Sequence, residues 1–190
     1  TTAGTITPVS AAFTSGEATL LVNVTDAGTD QTITAEDGLI TGNSNLFDVN
    51  AAAADAASTT ATVPDGTAGL ATNVTILVND SFGNPVSGEA GNLSVTVTGD
   101  NSATPVVSET VTPGEYSASY TPTVAGSDNV AISLGVDAIS GSPFTSTVSA
   151  GAASDMTVTQ QPSATSAGAS ISPAPAVTVT DGTNPISGVT

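Results

Sequence analysis

Carboxylates dominate the chemistry open to this 190-residue chain: it has 17 Asp and Glu, no Lys, Arg, His or Cys, and a formal net charge of -17. That inventory excludes more than it permits. A nucleophilic triad, a Schiff base, a thiolate zinc site and a phosphate clamp each need a residue type that is missing. Paired carboxylates could hydrolyse glycosides in principle. The acidic residues nevertheless fall mostly at turns, Trp is absent, and Tyr116 and Tyr120 take the inward phase of their strand, so no aromatic floor is offered to a sugar. An enzyme is not expected.

Carboxylates and carboxamides do supply hard oxygen ligands for divalent cations. Asp55 and Asp155 close two similar Ala-rich stretches, "AAAAD" and "GAASD", and Asp80 shares a turn with Asn79 and Asn84. These three aspartates are the calcium candidates, and no other cofactor is expected. Asp100 with Asn101, and Asp128 with Asn129, read as further turns. Turn formation is the commoner role of both residue types, because they hydrogen-bond their own backbone, and no compact Asp-x-Asp-x-Asp-Gly loop occurs. Four sequons, at Asn23, Asn73, Asn79 and Asn92, are glycosylation candidates, with Asn23, Asn73 and Asn79 on the outward phase of their segments.

The uniform negative charge repels phosphate backbones and anionic headgroups, so neither nucleic acid nor a membrane surface is an expected partner. The apolar run "ATLLVNV" is far too short to span a bilayer, which takes about 20 apolar residues. Without lysine, no intramolecular amide cross-link through a lysine amine is open to the chain, and trypsin-type cleavage sites are absent. The second point suits exposure outside a cell.

The elements that must position these residues follow from period-two patterning. Val74, Ile76 and Val78 alternate with polar residues, as do Leu93, Val95 and Val97, then Tyr116, Ala118 and Tyr120, then Val130, Ile132 and Leu134, and finally Phe144 and Val148. Hydrophobic residues make up 38% of the chain, enough for a core despite the low charge. Alternation broken by Gly, Pro, Asn and Asp predicts an all-β, immunoglobulin-like antiparallel sandwich of about 100 residues per module.

The ends repeat the middle. "NPISG" at Asn184 follows "NPVSG" at Asn84 by 100 residues, and "GEYSASYTPTVAG" from Gly114 follows "GEATLLVNVTDAG" from Gly16 by 98. Residues 55–154 therefore read as a complete module. Residues 1–54 read as the C-terminal half of another, and 155–190 as the N-terminal half of a third, completed by a neighbouring copy. Head-to-tail copies of the chain are the expected partner, whether as one continuous polypeptide across Thr190 and Thr1 or by strand complementation between subunits.

"PGEYSASYTPTVAGSDNVAISLGVDAISGSPFTSTV" resembles the closing strands of filamin-type immunoglobulin-like repeats, and "VTVTDGTNPISG" resembles the opening half of bacterial immunoglobulin-like repeats of invasin-like surface proteins. The first resemblance implies a cytoplasmic cross-linker, from which a chain with no basic residue departs. The second implies a microbial cell surface. The expectation is thus a structural repeat unit of an extracellular filament, stalk or sheath. The alternative is an adhesin binding module, for which the chain lacks the Trp and Arg anchors that binding surfaces favour.

Overall fold

A computed structural model describes Ile6–Thr7 and residues 10–187. The N-terminal part carries six short strands: β1 (Ile6–Thr7), β2 (Asn23–Val24), β3 (Gly28–Gln31), β4 (Thr34–Asp37), β5 (Ile40–Asn43) and β6 (Phe47–Val49). They pair as β1 with β2, β3 with β6 and β4 with β5. The middle holds β7 (Thr60–Thr62), β8 (Gly66–Thr67), β9 (Thr72–Leu77), β10 (Leu93–Gly99), β11 (Ser108–Glu109), β12 (Glu115–Tyr120), β13 (Gly126–Leu134), β14 (Asp137–Ala138) and β15 (Phe144–Ser149). A ribbon of β16 (Asp155–Gln160) and β17 (Ala176–Thr180) follows. Among the described residues every regular element is a strand.

The middle strands form two facing sheets, ordered β11-β12-β9-β7 and β10-β13-β15-β8, with β14 on β13. Register explains how the alternating residues find one another. Tyr116 faces Ile76 and Ala118 faces Val74 in the first sheet, while Val95 faces Ile132 and Val97 faces Val130 in the second. Their apolar faces enclose one core, in which Val74, Ile76, Val78, Val97, Tyr116 and Val130 are fully buried. Burial of each such side chain contributes about 1.5–3 kcal/mol. With no cation in the chain, packing and backbone ladders must hold the sandwich together.

The first strand switches sheets, pairing with β9 as β7 and, after Pro64, with β15 as the parallel strand β8. Gly66 sits at that crossing, where a Cβ would lie 2.9 Å from the Thr72 hydroxyl and 3.3 Å from both Pro122 and Val148. The absence of a side chain allows the crossing strand to close the sandwich. Ser146 donates to the Pro64 carbonyl at 2.8 Å and the Thr147 N–H donates to Asp65 at 2.8 Å, which fixes the same corner.

Outside the sandwich the patterning does not produce the same result. In "GEATLLVNV" only Asn23–Val24 is a strand, and Leu21 is 88% exposed. The strand expected across Gly16–Val24 is therefore largely unformed. In the central sandwich the matching strand, β12, has β9 beside it. Here the segment that matches β9 is at Ala176–Thr180, which pairs with β16 as β9 pairs with β7 and, among the described residues, has no strand on its other edge. Among the described residues no strand of residues 10–54 pairs with one of 155–187. The expected adjacency of Thr1 and Thr190 lies outside the described residues.

Candidate functional site: paired Asp and Asn clasps

Asparagine and aspartate meet at the turn that follows β9. The turn runs Asp80-Ser81-Phe82-Gly83-Asn84 and closes by a backbone bond from the Asp80 N–H to the Asn84 carbonyl at 2.9 Å, with Gly83 in the left-handed region at φ 90°. Asp80 is fully buried and its carboxylate is saturated. One oxygen accepts the N–H groups of Phe82 and Asn84, both at 2.9 Å, and the other accepts the Ala52 N–H and the Asn84 carboxamide, both at 2.8 Å. Burial pushes the Asp80 pKa up, but the Asn84 side-chain and backbone donors, with those of Ala52 and Phe82, outweigh it and hold the pKa at about 2.

Held in this way, the Asn84 side chain works as a short piece of β-ladder. Its Nδ2 donates to the Thr25 carbonyl at 2.7 Å and its Oδ1 accepts the Ala27 N–H at 2.8 Å. The loop between β2 and β3 is thereby bound through backbone groups. The Ala-rich stretch after β6 is tied to the same turn, through the Ala52 N–H on Asp80 and a bridge between Ala54 and Asp80.

The same arrangement recurs at the other end of the sandwich. In the turn Asp181-Gly182-Thr183-Asn184, one residue shorter, Asn184 donates to the Thr123 carbonyl at 2.9 Å and accepts the Ala125 N–H at 2.7 Å. Asp181 accepts from the Asn184 side chain at 2.9 Å and from the Gly151 N–H at 2.7 Å, in the role Asp80 has toward Ala52. The Asn184 backbone N–H and carboxamide, then the Thr183 N–H, hold the Asp181 carboxyl well below its ordinary range, outweighing what burial adds. Asn184 is 4% exposed.

The receiving loop at Thr123–Ala125 is braced from inside the sandwich. Asn101 accepts the Thr123 and Val124 N–H groups at 2.8 and 3.0 Å and donates to the Val124 carbonyl at 2.8 Å. Fully buried Asp128 accepts in turn from the Asn101 N–H at 2.9 Å and from the Tyr120 hydroxyl at 3.2 Å. An unbroken polar chain thus runs from the core through Asn101 and the loop to Asn184 and Asp181. Asp128 and Asn129 lie within β13 and not in the turn expected of them, and Asp128 faces inward because strand alternation puts it there.

The calcium candidates separate. Asp55 accepts the Ser58 N–H and hydroxyl at 3.0 and 2.6 Å, capping a local turn, while Asp155 is exposed on β16. The two are not structurally matched as the repeat implied. The Asp55 N–H donates to the Asn79 carbonyl, and the corresponding donor is the Ser154 N–H on the Thr180 carbonyl. A slip of one residue along a strand turns a side chain to the opposite face. Among the described residues no three carboxylates converge on a point.

Among the sequons, Asn23, Asn73 and Asn92 are exposed, with Asn92 donating to Glu89 at 2.7 Å. Asn79 is half-buried and its amide donates to the Ser58 carbonyl at 3.3 Å, since it lies beyond the end of β9, beside the clasp turn, and not on the open sheet face. The residues missed by sequence reasoning are the clasp asparagines and Asp181. Their signal was present: "NPVSG" and "NPISG" recur at one offset and "TDAG" and "TVAG" at another. What no offset conveys is that these two recurring stretches touch.

Two facing sheets, antiparallel except where the switching strand joins β15, define an immunoglobulin-like sandwich. Residues 48–145 match the Filamin/ABP280 repeat, which is more than half of the chain, and the chain belongs to that family. Among solved structures it is similar to the Lin-41 filamin domain, at 21% identity and a TM-score of 0.44 over 51% of this chain and 97% of that one. It is also similar to FdeC, an Escherichia coli adhesin, at 26% identity and a TM-score of 0.48, covering 60% of this chain and 40% of that chain. A third likeness is to domains 1–6 of the surface layer protein SbsC, at 21% identity and a TM-score of 0.39, covering 72% and 19%. The chain thus spans well under half of the FdeC and SbsC chains. No curated protein matches the sequence.

Proposed function

We propose that the chain is a structural repeat element of an extracellular filament, stalk or sheath, in which sandwiches are held end to end at a fixed angle. The observation that carries this reading is the recurrence of one clasp at both ends of the central sandwich. Each clasp joins a turn of one unit to a backbone loop and an Ala-rich connector of the unit before it. A flexible tether would need none of these bonds, since domains in one chain move relative to one another unless their interface restrains them. A chain without Lys or Arg also leaves a trypsin-like protease no cleavage site, which suits surface exposure.

The test is small-angle scattering of the native chain and of the double variant Asn84→Ala, Asn184→Ala. Loss of both clasps is expected to broaden the distribution of end-to-end distances while the central sandwich stays folded, its melting lowered only by the loss of the Asn84 bond to Asp80. Superimposable profiles would overturn the reading, because the junctions would then be stiff, or loose, for another reason.

A further inference from the structure

We infer that the central sandwich accepts N-linked oligosaccharide at Asn73 and Asn92, one at each sheet, and that its third sequon, at Asn79, stays bare. All three have the acceptor pattern, with a hydroxyl two residues on: Thr75 after Asn73, Ser81 after Asn79 and Ser94 after Asn92. What separates them is where the fold puts the side chain. Asn73 lies in β9 between the buried Thr72 and Val74, so alternation turns it outward, with Thr75 on the same face. Its neighbour across the ladder is the small, exposed Ser119 of β12. On the other side β7 pairs with β9 only as far as Thr62 and Thr75, because the chain leaves for the second sheet after Pro64, so among the described residues no strand flanks Asn73 there.

Asn92 immediately precedes β10, the outer strand of the second sheet, and is exposed together with Ser94. It donates one amide hydrogen to Glu89 at 2.7 Å. A carboxamide has two such hydrogens and gives up one on glycosylation, so the bond to Glu89 survives the modification. Asn79, by contrast, has backbone on both sides. Its carbonyl accepts the Asp55 N–H at 2.9 Å, and it bridges Pro85 of the returning chain. Its half-buried side chain rests against the turn at Ser58, and Asp80, the middle residue of its sequon, is the buried carboxylate of the clasp. A sugar on this amide would have to push the Asp55–Ser58 turn away from the end of β9.

The order of events follows from the core. Val74 and Leu93, the middle residues of the two accepting sequons, are buried in it, so a transferase has to act before the strands close. The fold then filters the products: sugars on Asn73 and Asn92 project into solvent as the sandwich forms, whereas one on Asn79 obstructs it. In the transfer itself the amide nitrogen attacks the anomeric carbon of a lipid-phosphate-linked oligosaccharide. A C–N bond forms, the C–O bond to phosphate breaks, the lipid phosphate leaves with the electron pair, and the amide gives up one proton to a base on the transferase. Such modification marks exported chains, so the inference rests on the extracellular location in the reading above and on nothing in the clasps.

The test is the full chain secreted from a eukaryotic host whose transferase reads these sequons, with occupancy mapped site by site on material that melts cooperatively. Digestion uses a protease specific for acidic residues, since the chain has no Lys or Arg. Enzymatic removal of the glycans in heavy-oxygen water then turns each occupied asparagine into a labelled aspartate. Asn73 and Asn92 should be labelled and Asn79 unlabelled. Thr75→Ala should remove the label from Asn73 alone, and Ser94→Ala from Asn92 alone. Ser81→Thr, which keeps the hydroxyl of the Asn79 sequon, should still leave Asn79 unlabelled in the folded chain. An unlabelled Asn73 or Asn92, or a labelled Asn79 in folded material, would overturn the inference. Either failure leaves the scattering test of the clasps untouched, because Asn84 and Asn184 stand in no sequon.

Discussion

Ile76 and Val177 occupy equivalent places in similar strands, each followed two residues on by a valine and then by a clasp turn, yet one is fully buried and the other is 57% exposed. The strands themselves do not differ enough to explain this. β9 lies between β12 and β7 and faces a second sheet, whereas among the described residues β17 has β16 alone. Period-two alternation tells a strand which side chains share a face. It does not supply the sheet that covers that face, and an isolated two-stranded ribbon is marginal in water.

The largest effect should come from breaking the comparison at its core. Ile76→Ala removes methylenes from a closed interior and should cost about 2–5 kcal/mol of stability in urea unfolding. Val177→Ala, measured on dilute monomer, should stay within about 0.5 kcal/mol of the native chain, as exposed substitutions do. Equal losses at the two positions would mean that the ribbon is covered in solution.

Asp80→Ala is the next largest. It removes the acceptor of the part-buried N–H groups of Ala52, Phe82 and Asn84, and the loss should be about 1–3 kcal/mol. The charge itself has a pH signature. Asp80 titrates near 2 in the fold against 3.8 for the free group, so its contribution is present above pH 3.8 and is lost as the pH falls toward 2. Asp181 is shifted in the same direction and adds to the same slope. Melting temperatures of the native chain should fall across that interval, and Asp80→Asn should remove part of the fall. At the alkaline end the sign reverses in group but not in outcome: burial raises Tyr116 and Tyr120 above 10.0, so stability is lost as the pH rises past that value.

A smaller effect sharpens the comparison between the two clasps. Asn184 docks on a loop that Asn101 and Asp128 brace from within, whereas Asn84 is the principal tie of the Thr25–Ala27 loop. Amide hydrogen exchange at Ala27 should therefore speed up more in Asn84→Ala than exchange at Ala125 does in Asn184→Ala. The reverse order would show that the internal brace carries no stability to the socket. Asn73→Gln, on the open face of β9, should shift the melting temperature least of all.

Much of the central sandwich was legible before any coordinates. The inward phase of Val74, Ile76, Val95, Tyr116 and Val130 follows from alternation because a pleated strand turns successive side chains to opposite faces. The missing Lys, Arg, His and Cys ruled out whole classes of chemistry by composition alone. The clasps were only half legible, since Asn84 and Asn184 looked like ordinary turn residues. Asn-Pro turns are common, and what distinguishes these is a carboxamide aimed at backbone groups 59 residues away.

By itself the sequence determined which side of each strand is apolar, where turns interrupt the strands, and that one pattern occurs more than once along the chain, because these depend on local stereochemistry and residue order. Only the tertiary structure decided which of the repeated strands is buried, which aspartates correspond, and which loop each asparagine holds. Burial requires a second sheet, and correspondence depends on a register that one residue can invert. A hydrogen bond across 59 residues exists only once both partners have been folded into place.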